Sequence, residues 1–375
     1  LLIEIAQPLL YKALQAVSRA MSSQNVIPIL SGIKVQADAA GLSLTAGQTG
    51  LLLHYHIPCD NEQLQIKQMG SIVIPAYYFI HIVRHLPTGS LSLGSNEDLK
   101  VIIQGGKAVY HLCGMNAELF PQVAQTDYSH TMSFPNGSLK KIIDGVSFAI
   151  SSSQSRPVLT GVACIREDNQ VKWVATDGVR LASRITPIKN IALTTAAIII
   201  IPGKHLIDFS RMLNDELATT DICIQDHMIV LKTGSLLMQS SLLEGSYPCT
   251  DRLKPDSFST EITLDRNDFL RALERVSLLA GDSDVVKLDI ISYHKVELSS
   301  KTTAVGDVME EVDMEACMGE AISIYFNGKY MIDIIGAVDC SKVMLRLNGK
   351  WSPIIVQPMD STNSLYIITP IRWRD

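Results

Sequence analysis

This chain of 375 residues repeats itself at about a third of its length, and no other feature restricts its fold as strongly. Val17-Ser18 recurs at Val146-Ser147 and again at Val276-Ser277, at offsets of 129 and 130 residues. In the first two copies the likeness extends to Ile27-Pro28-Ile29-Leu30-Ser31-Gly32 and Arg156-Pro157-Val158-Leu159-Thr160-Gly161, each leading into an expected strand. A second signal follows each copy, an apolar strand running into a helix start. It reads Val73-Ile74-Pro75-Ala76-Tyr77-Tyr78, Ile200-Ile201-Pro202-Gly203-Lys204 and Tyr325-Phe326-Asn327-Gly328-Lys329. Pro and Asn suit such starts, because a helix N-terminus needs no N–H at its first position and gains from a side-chain acceptor at its cap. The matches are short; their shared order and spacing carry the inference of three like units.

Each third reads as helix, strands, helix, strands, with strands such as Gly41-Leu42-Ser43-Leu44-Thr45, Lys172-Trp173-Val174-Ala175-Thr176 and Lys295-Val296-Glu297-Leu298-Ser299. The expected class is α+β, mostly antiparallel, in three similar domains. Helices are expected at 8–23, 75–86, 138–152, 202–214, 265–279 and 327–338. In the first, Leu10, Leu14, Val17 and Met21 share one face while Lys12, Gln15 and Arg19 fall elsewhere. Polar stretches at Gln125-Thr126-Asp127 and Leu253-Lys254-Pro255-Asp256 suggest linkers, hence domains at 1–127, 128–254 and 255–375.

Net charge is −6 and the pI about 5.9, which excludes a generally basic coat for nucleic acid, so any DNA contact must be local. The six expected helices carry +5 between them, leaving −11 on the remainder; the first two repeats hold all of that excess, and the helices of the third sum to zero. Lys12, Arg19, Arg84, Lys140, Lys141, Lys204, Arg211, Arg266, Arg271, Arg275 and Lys329 are therefore candidate phosphate contacts, of the kind that position a duplex without reading its bases. The competing assignment for any one of them is the solvated face of an amphipathic helix.

Seven separated cysteines without a CxxC pair fit neither a zinc ribbon nor a disulfide framework, and a reducing cytoplasm is expected. The chain opens on Leu1-Leu2-Ile3-Glu4-Ile5, as after a trimmed start, without signal-peptide character; no stretch has the length of a membrane span, and no membrane association is expected. Gly203-Lys204 lacks a Walker loop, no GxGxxG follows a strand, and GxSxG does not occur. His54 and His56 share a strand face, but no third ligand accompanies them at a telling spacing. No catalytic residue, cofactor or metal is expected.

With these residues in view, the chain resembles the β subunit of bacterial DNA polymerase III, the sliding clamp, over essentially its whole length, most closely the clamps of Bacillus-like Gram-positive bacteria. The stretches that carry the likeness are the two Pro-containing hexapeptides above, Ala175-Thr176-Asp177-Gly178-Val179-Arg180-Leu181-Ala182, Leu243-Glu244-Gly245-Ser246-Tyr247-Pro248 and Thr369-Pro370-Ile371-Arg372. The resemblance implies a non-catalytic processivity factor for DNA replication. It implies two chains head to tail in a ring, helices lining the hole and sheets outside, around double-stranded DNA without sequence specificity. It also implies work in the cytoplasm, at replication forks on the nucleoid.

By position in the family, Tyr110 and Leu112 on an edge strand, with Tyr78 nearby, would meet Leu278 and Leu279 of a second copy. A groove for short peptides of the replicative polymerase α subunit, the clamp loader and other clamp-motif proteins would use Leu159, Thr176, Gly178, Val179, Arg180, Leu181, Pro248, Arg252, Leu253, Trp351, Pro353, Ile367, Thr369, Pro370, Ile371 and Arg372. Arg180, Arg252 and Arg372 would rim it. Ser153 and Arg156 join the candidate DNA contacts, as does Gln24, which stands where the family usually has a basic residue. For the aliphatic members, ordinary core packing is the alternative. Val179, Trp351 and the extension Trp373-Arg374-Asp375 depart from the family pattern and leave open a diverged second clamp serving as a regulatory or repair scaffold.

Overall fold

A computed structural model describes residues 1–21, 27–123, 131–167, 169–188, 198–213, 216–225, 227–250, 253–255 and 257–372. Gln24, Arg252, the tail 373–375 and the expected linker at 125–127 lie outside the described residues. The first repeat holds β1 (Leu2–Ala6), α1 (Gln7–Ser18), β2 (Gly32–Asp38), β3 (Gly41–Gln48), β4 (Leu51–Pro58), β5 (Leu64–Gln68), β6 (Gly70–Pro75), α2 (Ala76–His85), β7 (Ser90–Ser95), β8 (Lys100–Gly105) and β9 (Ala108–Cys113). The second holds β10 (Thr131–Pro135), α3 (Asn136–Ser147), β11 (Gly161–Glu167), β12 (Gln170–Thr176), β13 (Arg180–Pro187), β14 (Ile198–Pro202), α4 (Gly203–Ser210), β15 (Thr219–Gln225), β16 (Met228–Thr233) and β17 (Leu236–Ser241). The third holds β18 (Thr260–Asp265), α5 (Arg266–Ser277), β19 (Val285–Ser292), β20 (Lys295–Thr302), β21 (Gly306–Gly319), β22 (Ser323–Asn327), α6 (Gly328–Ala337), β23 (Lys342–Leu347), β24 (Ile354–Pro358) and β25 (Ser364–Ile368).

All six expected helices form, and all end earlier than their periodicity suggests. In α1, α3 and α5 the reason is shared: the chain leaves the helix through a tighter turn closed by i to i−3 bonds. These run from Ala20 N to Val17 O (3.1 Å), Ala149 N to Val146 O (3.1 Å) and Leu279 N to Val276 O (3.3 Å). Met21 accordingly lies beyond α1, whose buried stripe is Leu10, Ala13, Leu14 and Val17. Starts follow the expected chemistry more closely. Asn327 accepts from Tyr330 N at 3.0 Å. Asp265 accepts from the amides of Asn267 (2.8 Å) and Asp268 (3.0 Å).

The repeat is also visible in a short 3₁₀ turn before the second strand of each copy, at Pro28–Ser31, Pro157–Thr160 and Gly281–Ser283. A hydroxyl closes each one: Ser31 Oγ donates to Pro28 O (2.6 Å), Thr160 Oγ1 to Pro157 O (2.7 Å) and Ser283 Oγ to Ala280 O (3.0 Å). The third copy thus keeps the bond although its residues no longer resemble the other two.

Residues Leu1–Leu139, Asn190–Thr195 and Asp208–Leu242 form one compact unit. It contains a five-stranded sheet ordered β5-β1-β7-β8-β9 and an eight-stranded sheet ordered β10-β15-β16-β17-β4-β3-β2-β6. Residues Lys140–Lys189, Ala196–Ile207 and Leu243–Asp375 form the other, around a twelve-stranded sheet ordered β14-β11-β12-β13-β25-β24-β23-β18-β21-β20-β19-β22. The two large sheets are continuous across repeats. β4 of the first copy pairs with β17 of the second, and β13 of the second pairs with β25 of the third. The second repeat therefore gives one of its sheets to each unit.

Gly32 and Gly161 open equivalent strands under the same restriction. A Cβ on Gly161 would lie 2.8 Å from Ile201 O and 2.7 Å from Ile200 Cγ2; on Gly32 it would lie 2.4 Å from Val73 Cγ1. Gly161→Ala is expected to destabilise the protein by about 1–3 kcal/mol through overpacking against backbone that cannot yield. Gly336→Ala in α6, where nothing lies within 4 Å, should be neutral or slightly stabilising. Urea midpoints for the two variants check this contrast.

Candidate functional site

The expected groove residues fall in one unit, around the strand pair β13·β25. Arg180 pairs with Ile368 and Leu181 with Ile367, while β24 sets Ile355 against Ile367 on the other side. Their inward side chains make one apolar cluster of Leu159, Leu181, Ile355 and Ile367 with Tyr247, Ala163, Val174 and Ile200. Leu159, Leu181 and Ile367 are at most 4% exposed, so they form a floor rather than an open wall. Tyr247 crosses beneath it, its hydroxyl 3.4 Å from Val174 O, and burial holds its phenol well above the usual range.

The loop between β12 and β13 is fixed by its own side chains. Asp177 Oδ1 accepts from Val179 N and Arg180 N (2.9 Å each), and Thr176 Oγ1 donates to Arg180 O at 2.6 Å. Gly178 turns the chain at φ +93°, where a side chain would be strained. This presents Val179, 45% exposed, beside a fixed backbone. The C-terminal segment lies along it: Thr369 N donates to Val179 O (2.9 Å) and Ile371 N to Tyr325 O (2.7 Å). Pro370 is buried, Pro353 and Ile371 half-buried, and Pro248, Thr369 and Arg372 exposed. Leu253 and Trp351 add exposed apolar surface, and Arg372 sits 5.7 Å from the Trp351 ring.

Arg180 departs from its expected place on the rim. Its side chain is 10% exposed, and the guanidinium meets Asp177 Oδ2 at 3.1 Å and Asp333 Oδ2 at 2.5 Å and lies over the Tyr330 ring at 4.1 Å. The charge is already satisfied, so Arg180 secures the loop to α6. Tyr247, Ile355, Tyr330 and Asp333 were missed from sequence. Strand alternation marks Ile355 as a core position, whereas nothing local ties Asp333 to an arginine 153 residues away.

The candidate DNA contacts divide by pairing. Lys12, Arg19, Arg84, Lys140, Arg156, Lys204 and Arg271 are exposed and make no ion pair with a described residue. Lys141 pairs with Asp339 (2.9 Å), Arg211 with Asp208 (3.6 Å), Lys329 with Asp284 (2.9 Å) and Arg275 with Glu310. Arg266 donates to the carbonyls of Ile335 (3.1 Å) and Gly336 (3.0 Å). Of the helix cations of the third repeat, Arg271 alone among the described residues is exposed with neither an ion pair nor a side-chain hydrogen bond, Arg266 being held by carbonyls. Exposed pairs are worth about 0–1 kcal/mol, so phosphate could displace them. Ser153 is exposed and bonded to Ser155 Oγ at 3.0 Å.

His54 and His56 alternate along β4, an interior strand, each held by a hydroxyl of β3: Thr45 and Ser43 at 3.0 Å. No cluster of three metal-ligating side chains occurs among the described residues. Burial, with His56 and Lys34 adding repulsion, lowers His54 to about 4; burial and Lys204 do the same to His205. Both stay neutral in the fold while the unfolded chain takes up protons below about pH 6.5. Stability present above that pH should therefore fall between 6.5 and 4, by up to about 1.4 kcal/mol per pH unit for each histidine. Thermal midpoints across this window should show the fall, and His54→Gln with His205→Gln should flatten it.

Family models of the DNA polymerase III beta subunit match the chain throughout: the N-terminal domain over residues 1–124, the central domain over 133–249 and the C-terminal domain over 251–372. The beta sliding clamp of Bacillus subtilis is 34% identical over 368 residues, 97% of each chain. That of Halalkalibacterium halodurans is 34% identical over 95% of each. Among solved structures, the DNA polymerase sliding clamp of B. subtilis superimposes with a TM-score of 0.96 at 33% identity, covering 100% of this chain and 99% of that one. The DNA polymerase III beta chain of Streptococcus pneumoniae does so with 0.93 at 32%, covering 99% and 100%.

Proposed function

Because this chain belongs to the family of the DNA polymerase III beta subunit, the beta sliding clamps, we propose that two copies close head to tail around duplex DNA and tether a polymerase there. The family is a non-catalytic processivity factor, and no reaction is assigned to any residue. The observation that carries the proposal is the likeness to solved clamps along the entire chain, together with a threefold repeat whose sheets continue across each internal joint.

Three domains near 1–127, 128–254 and 255–375 would each supply two helices, with Lys12, Arg19, Arg84, Lys140, Lys204 and Arg271 as the leading phosphate contacts. Such contacts give affinity without base preference and weaken steeply with salt. Ring closure would use the β9 edge with Tyr110, Leu112 and Tyr78, against Leu278 and Leu279 of the other copy. Tyr78 (59%), Tyr110 (37%) and Leu278 (80%) are exposed as this requires. The surface of Val179, Leu253, Trp351, Pro248 and Arg372, above the buried aliphatic floor, would take the apolar anchors of polymerase α, clamp-loader and other clamp-motif peptides. The work would be done in the cytoplasm at replication forks.

Loading by a clamp loader onto nicked circular DNA tests the proposal. The protein should survive a high-salt wash on the circle and be lost when the circle is cut, as topological linkage demands. Equal loss from both forms would refute it.

A further inference from the structure

The internal joints point to a third, between copies, whose register can be read from the other two. At the first joint Leu236, the residue after the β16–β17 turn, sits opposite Tyr55; at the second Ser364 sits opposite Arg184. Tyr55 pairs on its other side with Leu44, and Arg184 with Trp173, each the fourth residue of its strand. The equivalent fourth residue of β20 is Leu298, whose partner on β21 is Glu310. The strand equivalent to β17 and β25 is β9, which opens with Ala108 after the same kind of turn from Gly105. β9 is the last strand of its sheet, and residues 306–313 of β21 pair with β20 alone among the described residues.

Placing Ala108 against Glu310 of another copy sets Val109 opposite Met309, Tyr110 opposite Val308 and His111 opposite Asp307. Two independent features agree with this register. Val109 (50% exposed), His111, Met309 (65%) and Asp307 all lie on the outer faces of their strands, so the pairs match face to face. In the helix layer Phe148, one residue after Ser147, lies 5.9 Å from the ring of Tyr366. Their equivalents are Leu278 and Tyr110.

We propose that closure between two copies is proton-sensitive, with His111 of one chain facing Asp307 of the other across this strand pair. This rests on the ring reading and adds its chemistry. Both internal joints lack a histidine facing an acid in this place: Gln239 faces Leu52 and Ile367 faces Leu181. The same superposition turns His81 of α2 toward Glu274 of α5, because their equivalents Asp333 and Asp144 line one cavity. Imidazole gains its charge as pH falls through the range 8 to 5, so the joint strengthens on the acid side. The other groups about His111 are Cys113 on its own strand, Ile102 opposite it and Lys100 opposite Cys113 on β8, and Lys107 at the turn. About Asp307 they are Lys301 across β20, Glu311 along β21 and Lys287 of β19, which lines the same cavity.

Sedimentation equilibrium of the full chain tests the proposal. Between about pH 6 and pH 8 the dimer dissociation constant should rise roughly tenfold for each of the ring's two joints, about a hundredfold in all, the effect of one pKa unit on one titrating group per joint. His111→Gln and Asp307→Asn, both on exposed side chains, should each remove most of that rise. Val109→Cys with Met309→Cys should form an oxidised inter-chain link that Val109→Cys with Asp307→Cys, a diagonal pair, does not. A dimer that ignores pH, or one linked through the diagonal pair, overturns the proposal and leaves the ring. No dimer at any pH overturns both.

Discussion

Leu278→Asp is expected to leave the chain folded and make it monomeric, weakening self-association by about 100- to 1000-fold at each of the two joints. Leu278 follows the end of α5 and is 80% exposed, so no core contact is lost in the single chain. In the closed joint it would take the place Phe148 has against Tyr366 at the second internal joint. Removing a buried leucine forfeits roughly 1.5–3 kcal/mol, and an unpaired carboxylate in the same place adds to the loss. Together these make about 3–4 kcal/mol, or two to three orders of magnitude in affinity, at each of the ring's two joints. Size-exclusion chromatography with light scattering would show one chain per particle, with an unchanged circular dichroism spectrum. An intact dimer would mean that this surface has another use.

Removing residues 369–375 should lower affinity for a clamp-motif peptide by about 100-fold or more, while the dimer persists. β25 ends at Ile368, so the cut spares the β13·β25 pairing. What is lost is the segment bonded to Val179 O and Tyr325 O, together with Arg372 beside Trp351. That segment walls one side of the exposed apolar surface, and losing a desolvated anchor wall commonly costs 2 kcal/mol or more. Fluorescence anisotropy with a labelled peptide reads the loss. Unchanged affinity would remove these residues from the groove.

Local chemistry made much of this architecture legible in the sequence. Pro75, Pro202 and Asn327 mark helix starts because a helix N-terminus accepts a residue without an N–H or rewards one with an acceptor. The helix ends were overestimated, since the turn after α1, α3 and α5 keeps helical periodicity for three more residues while its bonds tighten. The third copy's Gly281–Ser283 turn escaped notice because its hydroxyl bond survives without the surrounding residues.

Pairings between distant edges were less legible. Nothing in Leu51–Pro58 or Leu236–Ser241 identifies the other as its neighbour, because backbone hydrogen bonding is indifferent to sequence. In the candidate site, the likeness to clamps singled out segments that lie together around β13 and β25 but not the state of each side chain. Arg180 reads as a free rim cation until Asp333 and Tyr330, brought from α6, occupy it. Likewise the excess charge on the helices was countable, whereas the pairing of Arg275 with Glu310 of β21, or of Lys329 with Asp284 at the turn before β19, depends on segments brought beside them by the fold.

The claim that two copies enclose a duplex is tested most directly by electron microscopy of the protein loaded on DNA with blocked ends. The account predicts closed two-chain rings with duplex density passing through the hole, along faces bearing Lys12, Arg19, Lys140 and Arg271. Single chains, or DNA bound along an outer sheet face, would contradict it.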